Sequence, residues 1–159
     1  MIIVEHGKCD FAANSYAEPR RLAFLGSYYR IPVPDTEPEQ ERYLLLAVDA
    51  MNRMRWRGFP VIGNQPMAWP RKGITMPNGE ILGPTIPYGI SHGQVMLAAE
   101  LYAADHGIEP SEPTHYYDKG KAHPLVRSTE QFMTAPPLWV ASRTQFADYL
   151  MMRGLSIAH

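Results

Sequence analysis

Fifteen prolines, running from Pro19 to Pro137, set the strongest limit on how this 159-residue chain can fold. A proline ring removes a backbone donor and clashes with the preceding helical turn, so helix interiors must lie between prolines. Twelve glycines extend the same punctuation. Few helices are therefore expected, joined by long, stiff connectors. The length suits one domain with an appendage. A net charge of −1, from 15 basic and 16 acidic residues, argues against a protein held to nucleic acid mainly by phosphate neutralisation, although a local patch can still act. Cys9 is the single cysteine; it excludes an internal disulfide and a paired-cysteine zinc site, and fits a reducing compartment. No segment approaches the roughly 18 apolar residues of a membrane span. The apolar start is too short for a signal peptide and reads as a short strand over residues 1–6.

The first helix is expected to open at Pro19, favoured at the first helical position. It carries Leu22, Leu25 and Tyr29 inward and stops before Ile31-Pro32. Thr36-Glu37-Pro38-Glu39 reads as a capping box for the second helix, with acids at the positive end of its dipole. Arg53, Arg55 and Arg57 fall at the other end, and Gly58 is the expected stop. Tyr43, Leu44, Ala47, Val48, Ala50, Met51 and Met54 form one apolar stripe. Leu45 and Leu46 lie outside it, either as ordinary surface leucines or as a second face buried against another subunit. A third helix spans about 87–106. Its Gly89 and Gly93, four apart, either leave a flat patch for a second backbone or merely weaken the helix start.

Residues 59–86 form a long connector whose apolar content argues against disorder. Pro77-Asn78-Gly79 marks the tip of a small hairpin within it. An ordered, projecting loop is expected, anchored by Trp56, Gly58, Trp69 and Pro70. Beyond residue 107 five prolines interrupt any periodicity. Tyr116, Tyr117, Phe132 and Trp139 sit in an extended arm that cannot bury them alone. Ser142-Arg143-Thr144-Gln145 reads as a further capping box, opening a short helix with Phe146, Tyr149 and Leu150 on its apolar side. The expected fold is all-α: a three-helix core (1–107) with a short N-terminal strand and the 59–86 loop, then a C-terminal arm (108–159) ending in a short helix.

No catalytic constellation is present in the sequence. Six histidines show no metal-ligand spacing, a lone Cys9 near His6 reads as structural, and no phosphate-binding glycine loop occurs. No enzyme activity, cofactor or metal is expected. The one chemical candidate is the basic–aromatic set Arg53, Arg55, Trp56, Arg57, Trp69, Arg71 and Lys72. It could stack bases and contact phosphates, as single-strand binders do. The residues themselves favour the other reading, in which the tryptophans anchor the loop and the arginines answer a helix end and nearby acids.

Val4-Glu5-His6-Gly7 followed by Ala13-Asn14-Ser15-Tyr16, the helix leading into Arg55-Trp56-Arg57-Gly58, then Ala68-Trp69-Pro70-Arg71 and Ile86-Pro87 together carry a resemblance over about residues 2–107. The chain resembles the head–tail connector (adaptor, or head-completion) proteins of long-tailed bacteriophages, whose members are often labelled DnaT-like single-stranded-DNA-binding. Arg20-Arg21-Leu22-Ala23 departs from that family's usual Ala-Asp-x-Tyr-like pattern, and Gly93 stands where alanine is common. The resemblance implies a structural virion protein, assembled in the host cytoplasm. It would form a ring, typically of twelve copies, beneath the portal, touching the next connector layer and the passing double-stranded genome, with no membrane role. It implies that Leu45, Leu46, Arg53, Arg55, Arg57, Arg71 and Lys72 face a neighbour or DNA. The arm residues Tyr116, Tyr117, Phe132, Trp139, Phe146, Tyr149 and Leu150 would then dock on the portal. The alternatives are a single-stranded-DNA-binding accessory protein using the Trp/Arg cluster, and a small cytosolic regulator whose arm binds another protein.

Overall fold

The computed structural model describes residues 1–108 and 138–151, the latter with side chains from 142 onward. Helix α1 spans Pro19–Tyr29 and α2 spans Glu37–Asn52. A two-stranded antiparallel ribbon, β1 (Phe59–Pro60) with β2 (Arg71–Lys72), precedes α3 (Tyr88–Asp105). Helix α4 (Leu138–Phe146) runs into a 3-10 turn at Ala147–Tyr149. The described residues are mostly helical, and the ribbon is the part that an all-α expectation leaves out.

Prolines mark the boundaries. Pro19 opens α1, and α1 ends at Arg30, whose left-handed backbone (φ 57°) turns the chain so that the following Ile31 N–H also reaches the Gly26 carbonyl (3.2 Å). Pro38 lies in the first turn of α2, beside Glu37 and Glu39. Thr36 holds the N-cap position, but its hydroxyl makes no capping bond. The expected capping box is absent, because proline at the second helical position removes one of the two N–H groups such a hydroxyl would bond. Helix α2 also stops earlier than expected: Arg53 is its C-cap, so Arg55, Arg57 and Gly58 lie beyond it. The N-terminal strand reduces to a single bridge between Val4 and Ser15. Too few backbone groups pair there to make a strand.

The core sits around α3, which is buried on several sides. Leu22, Leu25, Tyr43, Leu44, Ala47, Val95, Met96 and Ala99 fill the space between α1, α2 and α3. A second cluster, with Val48, Met51, Trp56, Trp69, Ile74, Ile90 and Phe146, joins α2 and α3 to the 59–86 segment and α4. Gln94, fully buried, ties the parts together. Its amide N–H groups donate to Ser15 Oγ (2.8 Å) and the Leu44 carbonyl (3.0 Å), and its oxygen accepts from the Tyr16 N–H (2.8 Å). A buried amide with all three partners in place fixes which surfaces meet.

The glycine pair on α3 has a clear purpose. A Cβ on Gly89 would stand 2.8 Å from the Gln145 carbonyl oxygen, and one on Gly93 would overlap the Phe146 ring. The second backbone that these glycines admit is α4 of the same chain. The 59–86 segment is ordered, with the expected hairpin: Thr75 pairs with Ile81, and the Gly79 N–H bonds the Met76 carbonyl at the tip.

The N-terminal loop is held by one carboxylate. Glu5, 3% exposed, accepts from the backbone N–H groups of Gly7 (2.7 Å), Lys8 (2.5 Å) and Cys9 (2.9 Å) on Oε2, and from Asp10 (2.8 Å) on Oε1. Gly7 (φ 95°) and Cys9 (φ 59°) take left-handed backbone to aim those donors inward.

Candidate functional site

Trp56 and Trp69, 5% and 1% exposed, meet edge to face at 5.7 Å between centroids. Phe146 closes on Trp56 (5.2 Å, 86°) and Tyr149 on Trp69 (5.6 Å, 89°). Such perpendicular pairs contribute about 0.5–1.5 kcal/mol each beyond burial. Trp56 Nε1–H donates to the Met51 carbonyl (2.7 Å), closing the end of α2. The Trp69 backbone N–H donates to Tyr16 Oη (3.0 Å). Among the described residues the Trp69 Nε1–H has no acceptor. Pro70 is buried beside it, after a cis Trp69–Pro70 bond.

Two arginines bind the surrounding backbone. Arg71 donates from Nε to the Arg57 carbonyl (2.8 Å), from Nη1 to that of Ala68 (3.1 Å) and from Nη2 to that of Gly58 (2.9 Å). Burial lowers its pKa from the ordinary arginine value, yet three carbonyl dipoles satisfy the fork. Arg57 donates from Nη1 to the Asp148 carbonyl (2.7 Å) and from Nη2 to that of Thr75 (2.6 Å). Gly58 (φ 72°) could not carry a side chain: a Cβ would press on Ile74 at 2.7 Å and on the Lys72 carbonyl. The C-terminal segment then lies against residues 55–57. The Arg57 N–H donates to the Tyr149 carbonyl and the Met151 N–H to the Arg55 carbonyl, both at 2.9 Å, with Trp56 bridged to Leu150.

The expected site residues therefore separate. Trp56, Trp69 and Pro70 are interior, and Arg57 and Arg71 point their donors at carbonyls rather than outward. Arg53 is exposed and paired with Asp49 (2.9 Å), while Arg55 and Lys72 are exposed. Leu45 is half-buried and Leu46 is 39% exposed. Phe146, expected to dock on a partner, is 1% exposed inside the chain's own core, and Tyr149 and Leu150 are half-buried against it. The reason is the Gly89–Gly93 patch, which offers Phe146 a seat within its own chain. The box at 142–145 opens no helix, since α4 begins at Leu138. The Ser142 hydroxyl (2.8 Å) and N–H (2.9 Å) instead donate to Glu100 on α3. Tyr116, Tyr117 and Phe132 lie outside the described residues, as does the side chain of Trp139.

Glu100 makes the α3–α4 joint sensitive to pH. Burial raises its carboxyl to about 7, against the opposing pull of the Ser142 bonds and of Arg143. A carboxyl whose pKa is higher in the folded chain than in the unfolded one favours folding most at low pH, and this contribution fades as pH rises through 7. Solvent screening limits the effect to about 1 kcal/mol. The melting temperature should therefore fall by about 2–4 °C between pH 5.5 and pH 8 relative to Glu100→Gln, which stays neutral. The comparison with that variant removes the opposing contribution of His92, whose pKa burial lowers. Parallel melting profiles for the two proteins would refute the assignment.

Two surfaces carry apolar groups open to solvent, and the first of them was missed by the sequence reading. Between α1 and α3 lies a groove of about 570 Å³ whose walls include Phe24, Tyr28, Tyr88 and His92. Phe24, Tyr28 and Tyr88 are 65%, 53% and 68% exposed. Phe24 stacks on Tyr28 (5.6 Å) and Tyr88 on His92 (5.1 Å). Arg21 stands 5.7 Å from the Tyr88 ring centroid. The four-residue spacing of Arg20, Phe24 and Tyr28 was the available signal. The second surface is the outer side of α2, where Pro38, Glu41, Arg42, Leu45, Leu46 and Asp49 line a shallow depression.

The family model described as "Putative DnaT-like ssDNA binding protein" matches residues 1–125. The chain belongs to this family. No curated protein and no solved structure matches it. The span of the DnaT-like match takes in the Trp–Arg core, the Glu5 loop and both exposed surfaces. Among the described residues no His, Cys, Asp or Glu group is arranged to hold a metal, and no helix is long and apolar enough to cross a membrane.

Proposed function

We propose that this DnaT-like chain is a structural virion protein, a head–tail adaptor that forms a ring beneath the portal and continues the DNA channel. The observation that carries this reading is the pair of exposed apolar surfaces, the α1–α3 groove and the outer side of α2. They share no residue. Two different surfaces on one chain are what head-to-tail association requires, and such contacts close into a ring when the rotation fits. The inward-facing Trp–Arg cluster supports the reading as well, because it holds the 59–86 loop and α4 in fixed positions for partners to meet. The partners are further copies of the chain, the portal protein and the next connector layer. Passing double-stranded DNA touches the ring only transiently, consistent with a net charge near zero. No enzymatic step is assigned.

A second reading, a single-stranded-DNA-binding accessory protein, is favoured by the family description. Its stacking site cannot be the Trp56–Trp69 pair, whose rings are covered, so it would use the exposed aromatic groove instead. Light scattering decides between the two. The adaptor reading expects a closed multimer, alone or with the portal protein of the same virus, and negligible binding of a fluorescent oligonucleotide. A monomer that ignores the portal and binds the oligonucleotide with an affinity falling steeply with salt would establish the second reading.

A further inference from the structure

We propose that the α1–α3 groove of one copy receives the outer ridge of α2 from the next copy. This rests on the ring reading above and names its interface. Along α1, Arg20, Phe24 and Tyr28 stand four residues apart and form one row. Along α2, Glu41, Leu45 and Asp49 form another, with Arg42 and Leu46 beside it. Rows at this spacing interdigitate when two helices cross, the commonest mode of helix packing in globular proteins.

The chemistry of the two rows is complementary. The groove offers open aromatic rings, already fixed in stacked pairs, so little side-chain freedom is lost when they are covered. Its charge lies at one end, where Arg20 and Arg21 also line an adjoining depression beside His6 and Thr85. The acids lining that depression are already engaged: Glu5 by the N-terminal loop, and Glu18 by Arg20 at 2.8 Å. Arg21 is left with the face of Tyr88. The α2 row places a leucine between two carboxylates, an apolar centre for the rings and an acid within reach of the arginines in either helix direction. Glu41 reaches the N-terminal amine at 3.5 Å, and Asp49 pairs with Arg53. Asp49 and Arg53 are both exposed, Glu41 is half-buried beneath an exposed amine, and neither pair is shut away from solvent, so both are weak enough to exchange. A nucleic-acid strand would need cationic groups along the groove, and they are confined to one end.

Charge reversal with rescue tests this. Association is read by sedimentation velocity, alone and with the portal protein. Arg21→Glu and Phe24→Ala should each weaken multimer formation at least about tenfold, and so should Leu45→Arg on the opposite surface. Combining Arg21→Glu with Glu41→Lys and Asp49→Lys should restore it. Circular dichroism checks that each variant stays folded; Arg21, Glu41 and Leu45 are half-buried, whereas Phe24 is 65% exposed, so Phe24→Ala gives an independent reading if a charge variant does not fold. A multimer that forms and ignores all three single changes would sink this interface while leaving the adaptor reading intact. So would isologous dimers joined through α1 alone. A chain that stays monomeric with and without the portal would defeat the ring itself. Oligonucleotide binding abolished by Phe24→Ala would reassign the groove to single-stranded DNA.

Discussion

Trp69→Ala is expected to destabilise the whole fold rather than silence a surface. The side chain is 1% exposed and packs edge to face on Trp56 and Tyr149. Removing a buried tryptophan costs about 3–5 kcal/mol. Domains of this size have about 5–15 kcal/mol of stability in total. A urea titration should show the midpoint falling by a third or more, with loss of near-ultraviolet ellipticity. A tryptophan used to stack bases would behave in the opposite way, losing binding while the melting curve stayed put. Retention of the wild-type midpoint would mean that the ring is not part of the core.

The second large effect falls on the carboxylate that holds the N-terminal loop. Glu5→Gln should destabilise the chain by about 3 kcal/mol, since bonds to a charged acceptor are worth about 1.5–3 kcal/mol and buried donors left without partners are costly. Four backbone N–H groups converge on its two oxygens. An amide keeps one acceptor and turns an NH₂ group toward the remaining donors. Hydrogen exchange at the amides of residues 7–10 should accelerate along with the drop in the urea midpoint. Unchanged exchange at those four amides would show that the loop holds without its carboxylate.

Local signals carried the helices. Pro19, Pro38 and Pro87 each stand at a helix start, and the apolar stripe on α2 faces α3. The hairpin tip at Asn78-Gly79 was readable for the same reason, as turn chemistry is set by a few neighbouring residues. What escaped depends on distant atoms. Nothing near Arg71 in the sequence says that three carbonyls from Arg57, Gly58 and Ala68 will surround its guanidinium. The Glu5 loop has no periodicity to read. Ser142 matched a capping pattern, but Glu100, 42 residues away, engaged its hydroxyl. Phe146 and Tyr149 were legible as buried-type residues and misread only in direction, because a glycine patch says that a backbone will approach without saying whose. Phe24 and Tyr28 were hidden by the opposite problem: an outward row on a short helix resembles its solvated face.

The docking of α4 also sets an order of events during synthesis. About forty residues separate the end of α3 from Phe146, so a ribosome adding about 5–20 residues per second leaves the Trp56–Trp69 pocket uncovered for several seconds after α3 has emerged. During that interval the nascent chain lacks the Phe146 and Tyr149 rings that cover its two buried tryptophans. The helix at 138–146 acts as a late-arriving cover, and a ribosome stalled within the intervening stretch would release a product without it, recognisable to chaperones by the two tryptophans that the finished protein conceals.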